Sequence, residues 1–362
     1  MVGERVVVGT RVPGTLWWVG QHVTAVVAPN GVGHLRRVVG VLHTLSGRRP
    51  DLRIDVICAD WQLRHLEGWD RARALWEAGA RPVTGLMEPG VTWSPRPEVY
   101  ADGRLLEWES RLADSGLLDD ADLVLSDNLG GVLSLRPDAV LMGSFLWSDV
   151  LAAAHPDDPA VTAFVGRERS LLASHRPPML CVGDMAMPGV LARSDAVPLP
   201  WMPQSPPLPP IPGRSDRGRR VAVLGGRTGV LDELLARVAT SLSEAGLDVA
   251  VPEPVPQPAH RPAPEVDREG RLQPFGFTAA DFASSDVVVC RPGVGTVTDC
   301  VGQRVPMVVL HEAGNVELAH NAARLADMGV ARNAGGDPPV EAVLDSVRAV
   351  LGPEARTAMK GR

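Results

Sequence analysis

The same order of segments occurs in both halves of this chain of 362 residues. Residues 22–45 contain an apolar run, then glycines, then a helical pattern, and residues 219–242 repeat that order. A buried strand, a glycine turn and a helix N-terminus form the opening unit of a parallel α/β sheet. The repetition therefore predicts an α/β fold made of two doubly wound, Rossmann-like domains that face each other across a cleft.

Short apolar segments alternate with helical patterns after each opening unit. Their continuous apolar character is typical of strands that helices cover on both faces. Ligands bind such sheets in the crevice at the carboxyl ends of the strands, so the residues that follow the strands are the candidates for a site. The predicted strands are Ile54–Cys58, Leu123–Ser126, Ala139–Met142, Val249–Val251, Val287–Cys290 and Met307–Leu310.

Proline is concentrated in residues 198–212, and a basic, polar stretch follows. Because proline can continue neither a strand ladder nor a helix interior, this stretch predicts an extended connector. A second cluster of prolines at 252–264 predicts a surface loop. We divide the chain into a flexible leader at 1–20, an N-terminal domain at 21–197, an interdomain linker at 198–219 and a C-terminal domain at 220–362.

Charge and cysteine content exclude several classes of protein. The net charge of −7 argues against nucleic-acid binding, which needs a basic footprint. The four cysteines are widely spaced without a CxxC pair, which disfavours a disulfide scaffold or zinc ribbon and indicates a reducing cytoplasm. Arg11 and Pro13 interrupt the apolar leader, so it is not predicted to be a signal peptide. Trp17 and Trp18 leave open a weak association with a membrane surface.

The first candidate motif is the glycine-rich loop that follows the first strand. Gly31 and Gly33 let the backbone turn tightly and bring His34 to the start of the next helix. His34 then faces the crevice at the carboxyl ends of the strands. A helix N-terminus disfavours the imidazolium, so His34 is a candidate general base in its neutral form. The alternative is a polar turn residue that caps the helix.

The second motif, residues 225–229, follows the first strand of the second half. Free backbone N–H groups of such a loop can bind phosphate, and here Gly226 and Thr228 would contribute an amide and a hydroxyl. The alternative is an ordinary tight turn between a strand and a helix.

The third motif, residues 291–299, comes directly after the predicted strand Val287–Cys290. Its small residues open a helix whose N-terminus can hold a diphosphate. One to two turns later, Asp299 can accept hydrogen bonds from a pair of ribose hydroxyls, as carboxylates do in dinucleotide-binding folds. The alternative is a capped helix with a surface aspartate.

Polar side chains also follow other predicted strands. Glu317 lies in the next strand-to-helix connection and is either a ligand for sugar hydroxyls or a solvated side chain, and Asn321 suits packing or capping. In the first half, Asp127 and Asn128 end one strand, and Trp147 lies soon after another. The indole of Trp147 either stacks on a ring of an acceptor or packs in the core.

Other kinds of site find little support in the residues. The histidines form no HxxxH or HxH pair, and Asp120 and Asp122 precede a strand, at the wrong end of the sheet for the crevice. We therefore predict no metal site. A GxSxG elbow is lacking, as is the GK[ST] ending of a Walker loop, which argues against serine hydrolase and ATPase chemistry.

The order of these motifs resembles the GT-B glycosyltransferases, in the branch of the N-acetylglucosaminyltransferase of peptidoglycan synthesis. Residues 291–299 are similar to the family's R-x-G-x-x-T-V-x-E segment, with Asp299 in place of glutamate. Residues 317–322 resemble the D-Q-x-x-N-A element of related sugar transferases, with Leu318 in place of glutamine. The resemblance is strongest over residues 280–332 and extends to residues 22–47.

The resemblance implies an inverting, metal-independent transfer of a sugar from a nucleotide-sugar, with a UDP-sugar favoured, to a hydroxyl or amine. The N-terminal domain would bind a small-molecule or lipid-linked acceptor, and His34 would be the general base. No cofactor is implied, since the nucleotide-sugar is a substrate. The implied donor residues are Gly226, Thr228, Arg291, Gly293, Val294, Gly295, Thr296, Asp299 and Glu317, and the acceptor-side residues are Gly31, Gly33, Asp127, Asn128 and Trp147.

Two other functions stay open at this point. Residues 31–37 resemble the GxGHxxR loop of the nucleotide-sugar hydrolase of pseudaminic acid synthesis, which gives the sugar to water. A non-catalytic protein that binds a nucleotide-sugar would need the donor motif but not His34.

Overall fold

The computed structural model describes residues 20–67, 69–88, 91–100, 103–203, 205–209, 219–225, 229–252 and 272–352. Within these residues the strands form two sheets, one of seven strands and one of six. Every pair of neighbouring strands is parallel. This confirms the predicted α/β fold of two Rossmann-like domains.

The first sheet has the strand order β3-β2-β1-β4-β5-β6-β7. Its direction of growth reverses between β1 and β4, and ligands bind open α/β sheets at such a switch point. The strands are β1 (His22–Val27), β2 (Arg53–Ile57), β3 (Arg81–Val83), β4 (Leu123–Asp127), β5 (Val140–Met142), β6 (Pro178–Val182) and β7 (Asp195–Leu199). The helices are α1 (Val32–Arg48), α2 (Asp60–Arg64), α3 (Asp70–Glu77), α4 (Arg104–Asp114), α5 (Trp147–Ala154), α6 (Pro159–His175) and α7 (Pro188–Arg193).

The second sheet repeats this plan with the order β10-β9-β8-β11-β12-β13. Its switch point lies between β8 and β11. The strands are β8 (Arg220–Leu224), β9 (Asp248–Pro252), β10 (Leu272–Phe275), β11 (Val287–Cys290), β12 (Met307–His311) and β13 (Ala331–Gly336). The helices are α8 (Asp232–Glu244), α9 (Ala279–Ser284), α10 (Val294–Gly302), α11 (Val316–Asp327) and α12 (Val340–Leu351).

The central strands match the prediction closely because their residues are buried on both faces. Every residue of β1, β11 and β12 is buried, as the continuous apolar runs predicted. The prediction missed β3, β6, β7, β10 and β13. Proline interrupts β3, β7 and β10, and β13 is rich in glycine and polar residues, so these four show no continuous apolar run. Strand β6 has an apolar run, but it begins at Pro178.

The predicted linker at 198–219 begins too early. Strand β7 continues through Pro198 and Leu199, which pair with Cys181 and Val182 of β6. Proline is tolerated here because β7 is the edge strand of its sheet. Of the proline cluster at 252–264, only Pro252, the last residue of β9, falls within the described residues.

The two domains meet through their helices and share part of one core. Val182 and Met185 of the N-terminal domain pack into the same apolar cluster as Val294 and Val297 of α10. Helix α1 lies against α10, and α5 lies against α11. Helix N-termini from both domains therefore come together in the cleft. Among the described residues, no helix is long and apolar enough to cross a membrane.

Candidate functional site

Helix α1 begins at the switch point of the first sheet. Its N-cap is Gly31, whose backbone is extended at φ −168° and whose missing side chain leaves the first amides uncapped. Leu35, Val38, Val39 and Leu42 bury one face of the helix and fix its rotation. His34 is the third residue of α1, so the capping alternative does not describe it. The imidazole is instead turned towards the end of β4.

His34 is paired with Asp127, the last residue of β4. Nδ1 of His34 lies 2.6 Å from Oδ2 of Asp127, and the aspartate is completely buried. A carboxylate only accepts hydrogen bonds, so Nδ1 is the donor in this contact, and in a neutral imidazole Nε2 is then the nitrogen that can take a proton. This is the arrangement in which a carboxylate orients a histidine that acts as a base.

Arg37 completes this network one turn further along α1. Its Nε lies 3.1 Å from Oδ1 of Asp127, and its Nη2 donates to the same oxygen and to Oδ1 of Asn128 at 3.0 Å. Burial alone would raise the pKa of Asp127, but the charges of Arg37 and His34 outweigh it and hold that pKa below its usual range. Asp127 therefore stays ionised beside the histidine. We call His34, Arg37, Asp127 and Asn128 the N-terminal wall.

The opposite side of the cleft, the C-terminal wall, consists of residues 291–299 and 312–321. Gly293 is the N-cap of α10, so the first amides of that helix open towards the cleft. Nη2 of Arg291 lies 2.7 Å from Oε1 of Glu312, which is buried at the end of β12. Asn321 is also buried, and its Nδ2 donates to the carbonyl of Pro292 at 3.0 Å. Asn321 thus has the packing role that the sequence left open.

Glu317 stands in the first turn of α11 and is half-buried. Burial raises the pKa of Glu317, and the negative charge of Glu312 raises it further. The positive charges of His34, Arg291 and Arg37 lower it. The net direction is upward, so desolvation dominates. The charges of His34 and Arg37 in the other domain therefore act on the carboxyl group of Glu317.

Asp299 is buried in α10 and is not the surface aspartate of the alternative interpretation. Its Oδ2 accepts a hydrogen bond of 2.8 Å from Nη2 of Arg36, which belongs to α1 in the other domain. The guanidinium of Arg36 also lies over the ring of Trp69, at 5.5 Å from its centroid. Neither Arg36 nor Trp69 is among the site residues predicted from the sequence. The one available signal was the pair of arginines that follows His34 in the first motif.

A small, partly open cavity of about 40 Å³ lies between the two domains. Helices α1 and α10 form two of its sides, and Trp69, Arg71, Val182 and Met202 close the rest. The first turns of α1 and α10 are in backbone contact, since a Cβ added to Gly295 would lie 3.1 Å from the Cα of Gly33. The positive ends of two helices therefore meet at this cavity.

Several predicted residues lie elsewhere or outside the described part of the chain. Gly226 and Thr228 fall outside the described residues. Val294 and Gly295 line the cavity, and Thr296 is half-buried beside them. Trp147 is 2% exposed and packs edge-to-face on Phe145, so the core-packing alternative describes it. In the ranges that the structure describes, no group of His, Cys, Asp and Glu side chains is arranged to hold a metal ion.

Solved structures of glycosyltransferases share this architecture. A Medicago truncatula protein in complex with UDP-glucose is 11% identical with a TM-score of 0.64, and the match covers 94% of this chain and 93% of that one. A Streptomyces glycosyltransferase in complex with thymidine diphosphate is 17% identical with a TM-score of 0.57, over 94% of each chain. The glycotransferase of kitacinnamycin is 16% identical with a TM-score of 0.59, over 94% of this chain and 93% of that one.

No protein-family model matches the chain, and no curated protein matches it in sequence. The structural similarity covers both domains and the cleft between them. The chain therefore has the two-domain GT-B fold of these glycosyltransferases.

Proposed function

We propose that this protein is an inverting glycosyltransferase that moves a sugar from a nucleotide-sugar to a hydroxyl or amine. The observation that carries the proposal is the 2.6 Å contact between His34 Nδ1 and the buried Asp127, at the switch point of the N-terminal sheet. The fold, which is shared with glycosyltransferases solved in complex with UDP-glucose and thymidine diphosphate, gives this pair its context.

In the proposed reaction, Nε2 of His34 takes the proton of the acceptor. The acceptor oxygen or nitrogen forms a bond to the anomeric carbon from one face, while the bond from that carbon to the diphosphate oxygen breaks on the other. The nucleoside diphosphate leaves with the electron pair. Asp127 keeps the imidazole in the correct tautomer and stabilises the imidazolium that forms.

The C-terminal wall would bind the donor. Arg291 and the open amides of α10 would offset the charge that develops on the diphosphate. Asp299 would accept hydrogen bonds from the ribose hydroxyls, and Glu317 would do so from the donor sugar. Gly226 and Thr228 stay in the proposal as phosphate contacts on the strength of the sequence alone.

The structural neighbours support a nucleotide-sugar donor with a uracil or thymine base. These neighbours include the glycotransferase of kitacinnamycin and a calicheamicin glycosyltransferase, which favours a small-molecule acceptor over a lipid-linked one. The branch of the peptidoglycan transferase, which the motif order suggested, stays a prediction.

A nucleotide-sugar hydrolase is the second candidate. The observation that favours it is the contact of Arg37 with Asp127, because Arg37 is the arginine of the GxGHxxR loop that resembles such a hydrolase. The same base would then activate water, and the product would be the free sugar. Sugar released in the absence of any acceptor would distinguish this reaction from transfer.

The test compares His34→Ala with a matched control, His43→Ala, on the same helix. The parent, incubated with UDP-glucose or TDP-glucose and a panel of alcohol and amine acceptors, should release nucleoside diphosphate and form a glycoside. Loss of the general base should lower turnover by at least about 100-fold in His34→Ala. The His43→Ala variant should keep the turnover of the parent. Near-normal turnover in His34→Ala would refute the assignment of the base.

The donor site is tested by Asp299→Ala. Removing the carboxylate should weaken binding of UDP, because the two ribose hydroxyls lose their acceptor, and of thymidine diphosphate, because its one sugar hydroxyl does. Calorimetric titration of both nucleotides measures this directly. Unchanged nucleotide affinity in Asp299→Ala would refute the ribose role.

A further inference from the structure

The carboxylate that we assign to the donor ribose already has a partner in the other domain. Arg36 donates to Asp299 at 2.8 Å, and the two side chains are only 17% and 5% exposed. The pair joins α1 to α10 across the cleft. A ribose that uses Asp299 must therefore share this carboxylate with Arg36 or displace it.

Arg36 lines the cavity together with a second arginine, Arg71. The ring of Trp69 supports the Arg36 guanidinium from one side, and Arg71 lines the same cavity. Burial lowers the pKa of Arg36, the Asp299 carboxylate acts in the opposite direction, and the charge of Arg71 lowers that pKa further. The two guanidinium groups are thus close enough to repel each other.

The charges around this cavity do not balance. Arg37 also lines the cavity, but Asp127 neutralises it. Asp299 is the one carboxylate among the described lining residues, and Arg36 already occupies it. Within the described ranges, no carboxylate pairs with Arg71. The first turns of α1 and α10 contain no acidic residue, so the helix dipoles add to the positive potential.

We propose that Arg36 and Arg71 form an anion site on the N-terminal side of the cavity, and that this site binds the diphosphate of the donor. Arg36 leaves Asp299 for the diphosphate when the ribose hydroxyls take the carboxylate. The donor is then held by both domains, and its binding replaces the direct ion pair between them. This inference rests on the proposed function for the identity of the ligand.

The experiment measures binding of inorganic pyrophosphate, which carries the anion without base or sugar, by isothermal titration calorimetry. The variants are Arg36→Met, Arg71→Met and the control Arg73→Met. Arg73 lies on α3 like Arg71, but its exposed side chain pairs with Asp70 at 2.6 Å and does not line the cavity. Arg71→Met breaks no ion pair among the described residues, so this variant tests the site even where Arg36→Met fails to fold.

We expect Arg36→Met and Arg71→Met each to weaken pyrophosphate binding by at least about tenfold, the usual loss for a charge-assisted hydrogen bond. Arg73→Met should bind within about twofold of the parent. Uridine and thymidine, which lack phosphate, should bind Arg36→Met at least as tightly as they bind the parent, because Asp299 is released for the ribose.

Equal pyrophosphate affinity in Arg71→Met and Arg73→Met would overturn the anion site, as would a parent that binds no pyrophosphate at millimolar concentration. Failure of the proposed function would look different. A parent that transfers or hydrolyses no sugar, yet binds pyrophosphate in a manner that depends on Arg36 and Arg71, would keep the anion site and refute the reaction. A parent that turns over a nucleotide-sugar, but whose pyrophosphate binding depends on neither arginine, would keep the reaction and refute the anion site.

Discussion

The two walls of the cleft are built in different ways. The N-terminal wall is complete within one domain, because His34, Arg37, Asp127 and Asn128 contact one another between α1 and the end of β4. In the C-terminal wall, by contrast, Asp299 accepts a hydrogen bond from Arg36, which lies on α1 of the other domain. The comparison teaches that the proposed base is pre-oriented by its own domain, whereas the proposed donor site depends on how the domains meet.

The walls also differ in how their carboxyl groups are solvated. Asp127 is completely buried, but two cations contact it and hold its pKa below the usual range despite that burial. Glu317 is half-buried, and its pKa is raised because desolvation exceeds the attraction of the more distant cations. Folding therefore makes Asp127 a stronger acid and Glu317 a weaker one.

The largest expected effect comes from removing the negative charge of Asp127 while keeping the shape of its side chain. Asp127→Asn should lower turnover by about 100- to 10,000-fold, because the imidazole loses the carboxylate that sets its tautomer. Affinity for UDP or TDP should stay within a few-fold of the parent, since the donor contacts lie on the other wall. Steady-state kinetics and titration calorimetry measure both quantities.

Asp120→Asn is the matched control for that variant, because Asp120 is exposed on the loop before the same strand. It should keep the turnover of the parent. Turnover of Asp127→Asn within tenfold of the parent would contradict the difference between the walls, because Asp127 would then not be needed to orient His34.

The second prediction concerns stability. Arg37→Met should lower the free energy of unfolding by about 3 kcal/mol or more, because it leaves the completely buried Asp127 with His34 as its remaining ionic partner. Urea denaturation followed by circular dichroism measures the change. The exposed Arg73→Met serves again as the control and should change the free energy of unfolding by less than about 0.5 kcal/mol. A loss under about 1 kcal/mol in Arg37→Met would contradict a strongly coupled network.

The third prediction sharpens the electrostatic contrast. A raised pKa means that Glu317 binds its proton more tightly in the folded state than in the unfolded state. Its contribution to stability is therefore present below the ordinary glutamate pKa of about 4.3 and is lost as pH rises through the folded value. Glu317→Gln should therefore gain stability relative to the parent between pH 4 and pH 7. Melting temperatures at the two pH values measure the gain.

Two variants bracket that measurement. Glu341→Gln, at an exposed position of α12, should show the same pH dependence as the parent. Asp127→Asn should show no such gain between pH 4 and pH 7, because a lowered pKa gives stability that is lost only as pH falls below the ordinary aspartate value. The same trend in Glu317→Gln and Asp127→Asn would contradict the difference between the walls.

The smallest expected effect is at the backbone contact between Gly33 of α1 and Gly295 of α10. A Cβ at position 33 would lie 3.5 Å from the Cα of Gly295, an ordinary contact, whereas a Cβ at position 295 would lie 3.1 Å from the Cα of Gly33. Gly33→Ala should therefore leave stability unchanged or raise it through helix propensity, by at most about 1 kcal/mol. Gly295→Ala should be about 0.5–1 kcal/mol less stable than Gly33→Ala, because α10 must shift away from α1. Equal melting temperatures of the two variants would contradict this difference and show that α10 can shift away from α1 at no cost in stability.

Much of the fold could be predicted because the sequence repeats a local pattern. Buried strands read as apolar runs, and the glycines at 31 and 33 mark the turn that brings His34 to a helix start. The edge strand β7 is missed and the linker is placed too early, because proline usually ends a strand, yet an edge tolerates it. The role of Trp147 stayed open because an indole suits a core and a ligand site equally.

The sequence by itself determined the fold class, most of the central strands and the residues that follow them, since these depend on periodicity and on short motifs. Only the tertiary structure decided which side chains meet. Asp127 reaches His34 because β4 lies beside β1, and Arg36 reaches Asp299 because α1 packs on α10. Partners so far apart along the chain are chosen by sheet order and by the approach of two domains, and neither leaves a local pattern in the sequence.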